Sequence, residues 1–407
     1  MSAAASSVSA SSDDIEPYSR GAPAARLWTR PFVDLLISEA LFGFSYALFV
    51  LLPKLLAVGY GATAAQIGAV MASFGIASLV TAPLIAPIVT RLDCRRTMIL
   101  GCFLLGAAAL GFTGIHGAGV LAAVLRGVQG IAWSLTFAAG MSLVAEVAPP
   151  IRLGHGIGLY GAVALATSAL GPAVAEPIAA RFGARPLFLL SGVVGLAAAW
   201  FCRRLSTGAA PSSPARGRAV ERGAARSRAI VIGVLAIGSL ASAAVSTFVA
   251  PFALTHGIGA VRGFFVTYTL TALGVRIGAT RLVDRLGPRA TAFAGAAGYG
   301  LTVIALATAG PEHLIPLGAA FGLVHGIVFP ALMALILGEA AREERPRLLA
   351  FANGAINLGI TGLGAIGAIA DRVGYPPVFI VTGAVTSATA ALLLLPSRRA
   401  PASASST

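Results

Sequence analysis

The sequence predicts an all-α membrane protein whose twelve transmembrane helices form two pseudo-symmetric six-helix bundles. Three observations predict it. The 407 residues are 57% hydrophobic and only 11% charged, with a mean hydropathy of +0.87, too little charge to cover the surface of a soluble protein of this length. Apolar runs of the length that crosses a bilayer, about 20 residues, recur along the whole chain. The second half of the chain also repeats landmarks of the first.

The spans are read at 31–52, 64–89, 97–114, 120–145, 156–178, 186–202, 229–250, 263–282, 290–309, 314–338, 348–369 and 376–396. The third and sixth are short, and Pro251 and His256 crowd the end of the seventh. The 49 glycines suit helices packed in lipid, where small residues let backbones approach. Orientation follows from the basic residues. With both termini on one side, that side carries 22 Arg and Lys and the other carries 5, leaving Arg126 and Arg276 in the membrane. This bias predicts cytoplasmic termini. It also accounts for the net charge of +14 without nucleic acid as a partner.

Five segments follow: a tail over 1–30, a six-helix bundle over 31–202, a linker over 203–228, a second bundle over 229–396 and a tail over 397–407. The Ser/Ala-rich start has no basic region ahead of an apolar core, so a disordered cytoplasmic tail is expected rather than a signal peptide. The linker is rich in Ser, Pro, Gly and Arg and reads as a flexible cytoplasmic connector. A lipid-headgroup or regulatory role is its alternative. Cys94, Cys102 and Cys202 have the spacing of neither a metal site nor a disulfide framework.

Residues 178–192 align with 369–383 at an offset of 191, and seven of the fifteen positions are identical. Glu146 and Arg152 recur as Glu339 and Arg345 at an offset of 193, and Arg91-Leu92 as Arg285-Leu286 at 194. Parallel halves of this kind put a substrate site between them, near the midplane.

Charges inside the membrane are costly and mark transport paths. Arg126, in Arg126-Gly127-Val128-Gln129-Gly130, lies about 9 Å below the outer face at 1.5 Å per residue. Glu39 lies roughly 12 Å deep in span one, sharing a face with Phe42, Gly43 and Tyr46. It is the foremost proton carrier, with an uncoupled acid facing water as the bland reading. Asp34, a turn nearer the cytoplasm, is a second, interfacial candidate. The depths of Glu39 and Arg126 differ enough to disfavour a direct salt bridge. Bonds from Arg126 to the span-one backbone near Gly43, or to water, are expected instead. His325, deep in span ten ahead of Pro330, is either a proton relay or a hydrogen-bonded neutral ring. Arg276 either lines the cavity or snorkels to the cytoplasm. Asn353 and Asn357 share a face of span eleven; Asn357, with Arg126, Gln129, Tyr46 and Arg276, is a cavity candidate. On the cytoplasmic side Asp93, Arg95 and Glu146 in one half, and Asp284, Arg289 and Glu339 in the other, are candidates for a latch across helix ends, against plain positive-inside bias.

These residues carry a family resemblance. The chain resembles a major facilitator superfamily transporter over nearly all of 31–396. The superfamily's loop motif between spans two and three is degenerate here, with Thr90 at its aspartate position and Asp93 at a glycine position; the second copy, Asp284-Arg285-Leu286-Gly287-Pro288-Arg289, is closer to pattern. Arg126 with Gln129-Gly130 matches the fourth-span Arg-x-x-Gln-Gly motif. Gly171-Pro172 in span five is similar to the hinge motif of drug/metabolite:proton antiporters, although Ala175-Glu176-Pro177 stands where a further glycine is expected. The resemblance implies proton-coupled efflux of a small organic molecule by alternating access, without enzyme activity. Its alternatives are a proton-coupled importer of an organic anion or zwitterion, and a non-transporting membrane sensor on the same fold. No phosphate-binding loop motif, metal set or cofactor motif is present in the sequence. Protons, a small substrate and the bilayer of a plasma membrane are the expected partners of a monomer.

Overall fold

The computed structural model describes residues 27–149, 152–205, 222–308, 310, 313–338, 340 and 344–395, and within these the side chains of 86, 90, 222–225, 276–284 and 346 are not described. Arg276, Asp284 and Glu339 therefore lie, as side chains, outside the described residues, and so do residues 1–26 of the first tail, the whole second tail and most of the linker. The described residues form helices and connecting turns: α1 (Arg30–Ala47), α2 (Leu52–Tyr60), α3 (Ala64–Gly111), α4 (Val120–Val147), α5 (Leu153–Phe182), α6 (Ala184–Phe201), α7 (Arg222–Thr255), α8 (Arg262–Leu286), α9 (Pro288–Ala307), α10 (Leu314–Leu337), α11 (Arg345–Thr361), α12 (Leu363–Val373) and α13 (Tyr375–Ala390).

Helix breaks differ from span breaks, for local reasons. Span one comprises α1 and α2 joined by a 3-10 turn at Leu48–Leu51, ahead of Pro53, which has no N–H to continue the ladder. It runs on to Tyr60 and ends on Gly61 at φ 61°. Spans two and three follow each other without a loop within α3 and are separated by a kink at Asp93 (φ 64°, ψ 165°). The third and sixth spans are not short, because their helices run out through the basic residues at their ends, to Arg91–Gly114 and Ala184–Arg204. Pro251 lies inside α7 rather than ending it. Span eleven is divided into α11 and α12 at Gly362. Eleven stretches of the described residues are long and apolar enough to cross a membrane. The remaining helix, α8, carries Arg276, Arg281, Asp284 and Arg285 and completes the twelve-helix architecture.

The internal repeat is visible in the backbone. Gly183 (φ 78°, ψ −173°) and Gly374 (φ 82°, ψ 175°) hold one conformation at the offset of 191. Asp93 and Gly287 (φ 79°, ψ 152°) do so at 194. This region of positive φ with extended ψ suits glycine almost alone. Asp93 is the one non-glycine residue with positive φ among the described residues, and it stands where the motif has glycine. Its carboxylate offsets part of the strain by accepting from the Arg96 backbone N–H at 2.8 Å, capping the third span.

Small residues set the helix contacts. A Cβ on Gly130 would meet the Phe74 carbonyl, so α4 lies close against α3, and Ser78 bridges the same pair to the Gly130 carbonyl (3.0 Å) and the Ser134 hydroxyl (2.6 Å). In the second half Gly322 of α10 approaches the Tyr268 carbonyl of α8 in the same way. The outer surface is a belt of exposed apolar side chains such as Val80, Phe103, Val193, Leu301 and Val381, a composition suited to lipid.

Candidate functional site

A cavity of about 330 Å³ lies between the two halves. The first half contributes Tyr46 from α1, Met71 and Phe74 from α3 and Arg126 from α4; the second contributes Ser239, Ser242, Ser246 and Thr247 from α7, Tyr299 from α9, His325 and Phe329 from α10, and Ile356 and Ile360 from α11. Ser239, Ser242 and Ser246 recur at helical spacing, so one face of α7 is a hydroxyl stripe.

The Arg-x-x-Gln-Gly sequence has a direct structural reading. Gly130 brings α4 onto α3 at Phe74. Arg126, only 4% exposed, then lies over the Phe74 ring at 4.9 Å and beside the Tyr46 ring at 5.5 Å, a cation–π arrangement. Gln129, three residues on, accepts from Arg126 Nη1 at 2.6 Å. The Arg126 Nε and the Gln129 Nε2 have no hydrogen-bond partner among the described residues. The bonds expected to the span-one backbone near Gly43 are not made. Gly43 packs instead against the Thr167 side chain of α5. Gln129 is fully buried behind Arg126 and is not part of the cavity wall.

Glu39 is 4% exposed and makes no ion pair with Arg126 or any other described residue. It is not a lining residue of the cavity, in contrast to the cavity-face position expected from its spacing with Tyr46. Its neighbour is the Tyr160 hydroxyl of α5, which fits where Gly140 of α4 lacks a side chain. Cys102 and Cys202, with sulfurs 3.9 Å apart, close the same interior of the first half. Between Glu39 and Arg126 stands an aromatic cluster: Phe42 and Tyr46 pack on Trp133 at 6.0 and 4.8 Å, and Tyr46 on Phe74 at 5.7 Å. Asp34 is half-buried a turn away, its backbone carbonyl accepting from Ser38 at 2.9 Å.

His325 lines the cavity with Nδ1 3.5 Å from the Tyr299 hydroxyl and its ring edge-on to Tyr268. Asn357 is 3% exposed and turns back into its own helix, donating to the Asn353 carbonyl at 3.0 Å. Its own carbonyl faces Gly75 of α3, so it belongs to the α3–α11 contact rather than the cavity wall. Gly171 presses on the Ala47 backbone, making Gly171-Pro172 the point where α5 meets the end of α1.

The cytoplasmic latch candidates do not reach across the halves among the described residues. Asp93 pairs with Arg96 at 3.7 Å, Glu146 accepts from the Cys94 thiol at 3.6 Å, and the Arg95 Nε is buried without a partner. Arg289 donates to the Leu395 carbonyl (3.0 Å) and the Ser227 hydroxyl (3.1 Å), and Arg228 pairs with Glu344 at 3.3 Å; Ser227 and Arg228 fall in the stretch expected as linker but belong to α7, so these bonds stay on the second-half side.

The halves are joined at the opposite end, remote from the termini. Glu176 of α5 accepts from the backbone N–H groups of Val261 (3.0 Å) and Arg262 (2.7 Å) at the start of α8. Lys54 of α2 pairs with Glu176 and donates to the Gly259 carbonyl. Asp371 of α12 accepts from Ala64 (2.7 Å) and Ala65 (3.0 Å) at the start of α3. Each half thus presents a carboxylate to a helix N-terminus of the other, where the exposed N–H groups and the helix dipole favour an anion. Nothing in the sequence reading singled out this pairing. Its signal was present as two acids near the ends of spans five and eleven, equivalent elements in the repeat.

The chain matches the Major Facilitator Superfamily over residues 35–312 and 264–407 and belongs to that family. No curated protein matches it. Among solved structures it is similar to the nucleoside transporter NupG, with a TM-score of 0.70 and 12% identity over 90% of this chain and 98% of that one. It is similar also to the peptide transporter POT in complex with sulfate, with a TM-score of 0.75 and 13% identity over 90% of this chain and 94% of that one. A POT family transporter in complex with a thioalcohol-conjugated peptide gives 0.74 and 13% over 90% and 96%. At these identities the likeness is one of fold. The chain is a multi-pass membrane transporter of this superfamily and not an enzyme.

Proposed function

We propose that this transporter is a proton-coupled exporter of a small organic molecule that works by alternating access in a plasma membrane, with both termini cytoplasmic. The observation that carries the reading is the cavity itself. It is lined from both halves, holds a buried arginine, and is bridged by inter-half bonds at one end only among the described residues. A carrier needs such a site, reachable from one side at a time. The positive-inside bias supports the cytoplasmic termini, and the Gly171-Pro172 resemblance supports the direction. Glu39 is the proposed proton site, because it is a buried acid with no described ionic partner, apart from the cavity and able to load or release a proton as water reaches it. A sensor on the same fold has no need of a buried arginine in the wall of such a cavity.

The test is reconstitution in proteoliposomes with an imposed pH gradient and candidate solutes on one side. Solute movement that follows the proton gradient in exchange, with measurable proton counterflow, is expected. Movement in the same direction as protons would make it an importer. Solute binding with no flux under any gradient would leave a sensor.

A further inference from the structure

Resting on the transport reading above, we infer that the substrate is a small organic monocarboxylate with a planar apolar body and no cationic group. The inference starts from charge. Arg126 lines the cavity, is 4% exposed, and its described polar partners are both neutral, the Gln129 oxygen and the Tyr46 hydroxyl. Its Nε has none. No Asp or Glu is among the described residues that line the cavity. A buried guanidinium in these surroundings lacks an anion, and its planar fork of donors matches a carboxylate. An ammonium group on the same substrate would find no carboxylate among the described residues of the wall, which disfavours zwitterions and free amines.

The shape of the site gives the rest. Phe74 and Tyr46 flank the guanidinium, so a ring attached to the carboxylate can lie along their faces. A volume of about 330 Å³ is at the small end of ligand pockets, enough for roughly one or two rings. Opposite stands the α7 hydroxyl stripe. Ser239 and Ser246 make no hydrogen bond with other described residues, leaving their hydroxyls free for a phenolic or carbonyl oxygen at the far end of the molecule.

Three probes test this on the full-length purified protein: benzoate, its isostere benzamide, and the cation benzylammonium, with phenylacetate and 4-hydroxybenzoate to vary length and the distal group. Binding is read by competition calorimetry and by the fluorescence of Trp133, which packs on Tyr46. Saturable binding of the carboxylates is expected, at least about tenfold tighter than benzamide, since a charge-assisted paired bond is lost with the amide. Benzylammonium is expected not to bind. Arg126→Gln should erase the preference for carboxylate over amide, and Arg126→Lys, which keeps the charge but not the fork, should retain part of it. Equal binding of benzoate and benzamide, binding of benzylammonium, saturable binding of none of the carboxylates, or an intact carboxylate preference in folded Arg126→Gln would each overturn the inference. Proteoliposome flux separates it from the transport reading. Carboxylate binding without gradient-driven flux sinks transport and leaves the ligand class, whereas gradient-driven flux of other solutes with no carboxylate preference does the reverse.

Discussion

Replacing Glu176 by glutamine should release the end of the molecule remote from the termini. The carboxylate holds two α8 backbone N–H groups and Lys54, and the α8 contacts exist only while the halves touch there. Hydrogen bonds to a charged acceptor contribute roughly 1.5–3 kcal/mol each, and an anion at a helix N-terminus about 0.3–1 kcal/mol. Glutamine keeps one acceptor oxygen and the side-chain shape but loses the charge, and water caps the α8 N-terminus once that end opens. The net loss is therefore closer to one charged bond than to three, about 1.5–2 kcal/mol, or roughly ten- to thirtyfold in the closed-to-open ratio. The assay is a spin-label distance measurement between exposed positions 58 on α2 and 256 after α7, in a background free of native cysteines. A growing long-distance population in Glu176→Gln, with little change in melting temperature, is expected. An unchanged distance distribution together with a lowered melting temperature would refute the reasoning and make Glu176 a group that holds the fold rather than the state. Asp371→Asn should act in the same direction but more weakly, about 0.5–1 kcal/mol, because its side chain is exposed and water competes for the same bonds.

Glu39→Gln is expected to abolish transport driven by a pH gradient while leaving substrate binding in place; wild-type gradient-driven rates in the variant would pass the proton role to His325. Gly130→Ala should lower stability by roughly 1–3 kcal/mol, seen as a fall in melting temperature in detergent, because its Cβ would meet the Phe74 carbonyl and force α4 off α3. Gly287→Ala should destabilise by about 1–3 kcal/mol through backbone strain at φ 79°, and an unchanged melting temperature would show that the turn relaxes at no cost. A cysteine at position 213, in a background free of native cysteines, should resist an impermeant thiol reagent applied outside intact cells; labelling there would invert the topology.

What the sequence could reveal was depth and period. Helical rise alone set Arg126 and Glu39 at different heights, and the two are not ion-paired. The repeat, read from a few shared residues, reappears as matched backbone conformations at Gly183 and Gly374. Rotation about each helix axis was less legible. Glu39 shares a face with Tyr46 by spacing, yet α5 covers it with Tyr160 while Tyr46 reaches the cavity. Asn357, a wall candidate by its spacing, faces the α3 contact instead, since Gly75 admits the α11 backbone there. The Glu176 and Asp371 bonds join positions 85 and 307 residues apart, across a boundary that no local pattern describes. Their acceptors are visible as letters in the sequence. Their donors are backbone groups and are not.

The separation of Glu39 from Arg126 bears on how a proton and a substrate can be coupled. A shared ion pair would let one displace the other directly, and no such pair is described here. What connects the two sites is packing. Glu39 and Tyr46 are on one helix, Phe42 and Tyr46 both rest on Trp133, and Tyr46 and Phe74 flank the Arg126 guanidinium. Close-packed side chains rearrange between discrete arrangements rather than deform smoothly. A change in the charge of Glu39 can then reach the cavity only if it favours one arrangement of α1 against α4 and α5 over another. Gly43 against Thr167 and Gly171 against Ala47 hold α1 to α5 at two levels with little room for sliding. The remaining freedom is therefore at the α1–α4 surface, where the aromatic cluster lies, and coupling through this chain requires that cluster to move as one unit with Arg126.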